Sequence, residues 1–118
     1  MTLHLFLFAH QDDEVFVLPV LRRLVEHRAE VACVFLSSGS ATNDRAEIAR
    51  REHESLAVLG QVGVPRERVS FPGRVLGVPD GAVHAHGTAL LARLSERFCD
   101  APERLYLPAW EGGHHDHD

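Results

Sequence analysis

Leu3 to Ala9 is apolar except for His4 and gives way abruptly to polar residues at His10. A run of that length between polar residues predicts a buried strand. From Glu14 to Arg28, Val17, Leu18, Leu21, Leu24 and Val25 recur at helical spacing. Pro19 lies inside this pattern, so the first turn is expected to be irregular and the helix to become firm near Pro19. Val31 to Leu36 predicts a second buried strand, broken by the polar loop Ser37-Ser38-Gly39-Ser40. Asp44 is an N-cap candidate with Glu47 as its capping-box partner, opening a helix that runs to about Leu59 through Ile48 and Leu56. Gly60, Gly63 and Pro65 end it. Val69 to Phe71 predicts a short strand, and Pro72 to Gly87 a loop. Thr88 to Phe98 predicts a third helix, with Leu90, Leu91, Leu94 and Phe98 along one stripe. Leu105 to Leu107 predicts a fourth strand, closed by Pro108.

The order β-α-β-α-β-α-β implies an α/β fold, a Rossmann-like parallel sheet with helices on its faces. Ligands bind such sheets at the carboxyl ends of the strands. The residues just beyond Ala9, Leu36 and Leu107 are therefore the first candidates for chemistry. The 118 residues allow one domain over 1–118, with no repeats and no second unit.

Composition sharpens this only in places. Apolar residues make up 45% and charged residues 25%, as in ordinary globular proteins. The net charge of −5 argues against nucleic acid as a partner. No apolar run approaches the roughly 18 residues of a membrane span, and neither a signal peptide nor a membrane anchor is expected. All 12 basic residues are arginine, which removes lysine nucleophiles, Schiff bases and the phosphate-loop lysine. Cys33 and Cys99 lie in apolar segments. They read as buried thiols of a reducing compartment, so a cytoplasmic location is expected. Three of the nine histidines fall in the last five residues.

Two constellations carry chemistry. His10-Gln11-Asp12-Asp13-Glu14 comes directly after the first strand, and the spacing of three puts His10 and Asp13 on one face of a helical turn. Carboxylates alone at a helix start are explained by the helix dipole and by capping. The histidine at the strand end favours a metal site instead. His114-His115-Asp116-His117 comes after the fourth strand and a Gly112-Gly113 turn, again with histidines three apart. It is interleaved with aspartate, unlike a purification tag. Together the clusters supply two histidines and one carboxylate to one ion, leaving open positions as in working metal sites. A nucleotide-binding reading conflicts with His-Gln-Asp-Asp where glycines are needed to approach a pyrophosphate.

Ala9-His10-Gln11-Asp12-Asp13-Glu14 resembles the Ala-His-Pro-Asp-Asp-Glu signature of the PIG-L/LmbE-like N-acetylglucosaminyl deacetylases, and His114-His115-Asp116-His117 resembles their His-Pro-Asp-His. Leu36-Ser37-Ser38-Gly39 stands where the family has a strand and then Thr-Asp-Gly. Arg51 and Glu54, with Val62-Gly63-Val64-Pro65 beyond, resemble its Arg-x-x-Glu helix ending in Leu-Gly-Val. Asp80-Gly81 resembles an Asp-Gly of the later loop.

The resemblance implies removal of an N-acyl group, usually acetyl, from an amino-sugar derivative by metal-activated water. A close variant would act on another amide, such as a natural-product glycoside or a thiol-linked sugar. It implies that His10, Asp13 and His117 bind Zn2+, with Fe2+ also suited to such a set. Asp12 would be the general base. His114 would stabilise the oxyanion or protonate the leaving amine, with Asp116 orienting its ring. Arg51 would contact the substrate, a small-molecule N-acetylated sugar conjugate, and Asp80 a substrate hydroxyl. Gln11 and His115 depart from the signatures' prolines, and Val15 to Pro19 is bulkier than the small-residue segment found there. The resemblance also implies that the family's C-terminal part is missing, which makes a metal-binding module without turnover the alternative and self-association into a homo-oligomer an expectation.

Overall fold

The structure is a computed structural model and describes residues 3–98 and 102–107. Four parallel strands form one sheet in the order β3-β2-β1-β4, with β1 at Leu3–Phe8, β2 at Glu30–Phe35, β3 at Val69–Ser70 and β4 at Arg104–Tyr106. β1 pairs with β2 along its whole length, from Leu3 opposite Glu30 to Phe8 opposite Phe35. The other side of β1 meets β4, with Phe6 opposite Tyr106. The chain thus winds outward from β1 to β3 and then returns to the far side of β1. Winding reverses between β1 and β4, and the crevice beyond the carboxyl ends of these strands is where such sheets bind ligands.

Alternation along the strands feeds two apolar layers. Phe6, Phe8, Val31, Cys33 and Phe35 face one side, where Leu21 of α1 (Leu18–Glu26) and Leu59 of α2 (Arg45–Gln61) bury against them. Leu5, Ala32 and Val34 face the other side and meet Leu94 of α4 (Gly87–Arg97) and Phe98 just after it. His4 interrupts the apolar pattern of β1, and β4 satisfies it. Its Nδ1 lies 3.0 Å from the Tyr106 hydroxyl, and the Tyr106 ring stacks on Phe6 with centroids 4.0 Å apart. Burial pushes the Cys33 thiol up to about 12, the Glu14 charge adding to the effect, so this cysteine is an inert core residue. Cys99 lies outside the described residues.

Local chemistry explains the element ends. A 3-10 turn at Asp13–Val17 precedes α1, the irregular entry that Pro19 requires. The Asp44 side chain caps α2 by accepting from the Glu47 N–H at 3.1 Å. The segment expected to be a loop from Pro72 to Gly87 instead carries a short helix, α3 (Pro72–Val75), with proline at its start, and a 3-10 turn at Val83–His86. Gly73 permits this: a Cβ there would sit 2.5 Å from the Leu36 carbonyl carbon and oxygen at the end of β2. Gly73→Ala is expected to lower unfolding free energy by about 1–3 kcal/mol, as overpacking does, which urea denaturation would measure. Among the described residues no helix is long and apolar enough to cross a membrane.

Candidate active site

Three loops meet at the carboxyl end of the sheet. The loop after β2 is a mesh of small polar residues. Ser38 Oγ donates to Asn43 Oδ1 at 2.6 Å, the Ser38 N–H donates to the Val78 carbonyl at 2.7 Å, and Ser40 Oγ accepts from the Asp44 N–H at 2.9 Å. The Asp80 N–H donates to the Ser40 carbonyl at 3.0 Å, which fixes Asp80 to the same loop. Short hydroxyl side chains suit this turn because they satisfy nearby backbone groups without demanding space.

The loop after β1 carries the acid–histidine cluster. Asp13 Oδ2 accepts from the backbone N–H of Ala9 at 3.0 Å and of His10 at 3.2 Å. This leaves Oδ1 facing His10 Nδ1 at 3.5 Å, while His10 Nε2 lies 3.4 Å from Asp80 Oδ1. The Asp13 hydrogen bond holds the imidazole above its ordinary value. Burial opposes this, and the charges of Asp13 and Asp80 reinforce it. A ring flanked by two carboxylates lies at a spot that attracts a cation. The Nδ1–Oδ1 spacing also suits two ligands of one zinc ion, whose bonds of about 2.0–2.2 Å in a tetrahedral arrangement set ligand atoms roughly 3.3–3.6 Å apart. Asp80 then stands where second carboxylates orient metal-binding histidines.

Asp12 goes the other way. Its side chain is 62% exposed against 15% for Asp13, and its backbone is left-handed, with φ 80°. Arg51 on α2 reaches this turn. Nη2 donates to the Gln11 carbonyl at 2.8 Å and to Asp12 Oδ2 at 3.3 Å, and Nη1 donates to the Gly39 carbonyl. The expected substrate contact therefore also binds the loops after β1 and β2 to each other. Gln11, which departs from the signature proline, is fully buried and donates from Nε2 to the Ser38 carbonyl at 3.2 Å. That bond fixes the loop where a proline ring would stiffen it.

Glu14 is 1% exposed, and its Oε2 has no hydrogen-bond partner among the described residues. Burial raises its carboxyl above the usual range, Ser55 opposes this by hydrogen bonding, and the Asp12 charge adds to the rise. The folded protein keeps this proton at pH values where the unfolded chain has released it. Stability contributed by the protonated carboxyl is thus present in acid and lost as pH rises from about 4.5 through the folded value. Glu14→Gln should flatten that fall, read from urea midpoints across pH 4 to 8.

His10, Asp12, Asp13, Arg51 and Asp80 are brought together. His114, Asp116 and His117 lie outside the described residues. Among the described residues no group of three or more histidine, cysteine, aspartate or glutamate side chains converges as a metal site. His27, just after α1, and His53 on α2 are exposed, and the half-buried His86 has Nδ1 2.9 Å from the Ala82 carbonyl. Ser55 carries no mark in the sequence, while Glu14 and Gly39 stand within motifs there without a role of their own. Only the spacing of four between Arg51 and Ser55 could have drawn attention to the serine.

A parallel sheet covered on both faces by helices, with an acid–histidine cluster beside the reversal of its winding, defines an α/β protein whose candidate site lies at the carboxyl end of the sheet. The chain belongs to the PIG-L family: the family pattern, described as GlcNAc-PI de-N-acetylase, matches residues 5–118. Membership implies de-N-acetylase activity on N-acetylglucosamine derivatives. Neither the curated proteins nor the solved structures contain a match to the chain.

Proposed function

We propose that the chain is a metal-dependent hydrolase that removes the N-acetyl group from an N-acetylglucosamine derivative. The observation that carries the reading is the opposite placement of two adjacent carboxylates. Asp13 is turned inward beside His10, and Asp12 is turned out to the open end of the sheet. His10 and Asp13, with His117, are the proposed ligands of a zinc or iron(II) ion. The pairing of β4 beside β1 supports this set, because the chain leaves β4 at the same end of the sheet. When bound, the ion supplies an acidified water and polarises the amide carbonyl.

The remaining work falls to side chains. Asp12 accepts the proton of the attacking water, for which an exposed carboxylate next to the ligands is suited. His114 stabilises the oxyanion or gives a proton to the departing amine, and Asp116 orients its ring. Asp80 turns Oδ1 inward to His10 and is 32% exposed, which leaves the rest of its carboxyl for a substrate hydroxyl. Val15 and Phe16, 52% and 85% exposed, form an apolar wall next to this end of the sheet.

Elemental analysis of the purified protein, combined with acetate release from a panel of N-acetylated sugars before and after chelation, tests the reading. Near one metal per chain, and release that stops on chelation and returns with zinc or iron(II), is the expected result. Metal without release from any sugar would leave a metal-binding module in its place. Release that survives complete metal removal would overturn the metal-dependent reading.

A further inference from the structure

The Gln11–Asp12 peptide is gripped at both ends by one helix. Arg51 donates to its carbonyl at 2.8 Å, and its N–H donates to Ser55 Oγ at 3.4 Å. Arg51 and Ser55 are four residues apart on α2, on the same face. The same guanidinium holds the Asp12 carboxylate and the Gly39 carbonyl, so the grip is referenced to the loop after β2. Between these contacts Asp12 adopts φ 80° and ψ −17°, a conformation L-residues avoid unless their surroundings impose it. The reversal has a use. Asp13 must turn inward, where two backbone N–H groups hold it, while its neighbour faces out. Ser55 is fully buried and also hydrogen-bonds Glu14, so it touches no substrate and acts on turnover only through the loop it holds.

We propose that Arg51 and Ser55 are positioning residues that clamp the Gln11–Asp12 peptide in its left-handed turn and thereby aim the Asp12 carboxylate at the reacting amide. This rests on the reading of Asp12 as general base. Arg51→Lys keeps the charge but loses the planar fork that serves three acceptors in three directions. Ser55→Ala removes one oxygen and little volume.

Each variant is expected to lower kcat about tenfold, since small misplacements of a reacting group are costly, with KM within about twofold and metal content unchanged. The double variant should fall short of the product of the two, because both residues hold one peptide. A second readout needs no turnover. In metal-free protein, amide exchange at Asp12 measured by NMR should quicken about tenfold in Ser55→Ala, with the Leu5 and Cys33 amides unchanged. A rise in KM at constant kcat in Arg51→Lys would make Arg51 a direct substrate group and overturn the proposal, as would unchanged exchange at Asp12. If the wild-type protein deacetylates nothing, the functional reading fails, while the exchange rates still decide whether the clamp exists.

Discussion

Asp12→Asn is expected to lower turnover by about two to four powers of ten while leaving metal content near that of the parent, the range that loss of a general base produces. The two neighbouring carboxylates make this a sharp comparison. Asparagine at position 12 keeps the size of the side chain and an acceptor for Arg51, and it tolerates the left-handed backbone well. What it loses is basicity. Asparagine at position 13 faces a different difficulty. Both oxygens of Asp13 are engaged, Oδ2 by the Ala9 and His10 N–H groups and Oδ1 toward His10. An amide has one oxygen, so its NH2 must confront either the backbone donors or the ion. Asp13→Asn should therefore lose metal and activity together. Metal analysis beside steady-state kinetics checks both variants. The reverse pattern, with metal lost at position 12 and kept at 13, would exchange the two roles.

Gly39→Ala is expected to cost about 2–5 kcal/mol of unfolding free energy, from the left-handed backbone and from overpacking together. Gly39 has φ 79°, and a Cβ there would lie 1.8 Å from Gln11 Oε1 and 2.9 Å from Gln11 Cδ. The amide has nowhere to go, because Gln11 is fully buried and its Nε2 is tied to the Ser38 carbonyl. Arg51, which binds the Gly39 carbonyl, would shift as well. Urea unfolding would give the stability loss. A loss below about 0.5 kcal/mol would show that the two loops yield easily, and that Gln11 does not fix the turn.

The sheet was legible because its strands are apolar runs of strand length between clear breaks, and because Asp44 and Pro19 mark helix starts by local chemistry. The helix at Pro72–Val75 was not legible. Four residues leave no periodicity, and it is held by the close approach of Gly73 to the end of β2, a contact between segments far apart in the chain. The His10–Asp13 pair could be read from spacing, since it lies within one turn. The reach of Arg51 across 40 residues to Gln11, and the burial of Glu14 and Ser55, depend on how α2 lies over the first loop. No pattern within either segment encodes that.

The return of the chain to the far side of β1 has a kinetic consequence. β1, β2 and β3 pair across successive crossovers, whereas β4 must find β1 across nearly the whole chain, as the contact between His4 and Tyr106, 102 residues apart, records. Closing so large a loop costs more entropy than any earlier pairing, and few β4 residues offset that cost. β1 would then wait for β4, with the crevice between them closing after β1, β2 and β3 have paired. A chain halted short of that pairing would hold its core without its crevice.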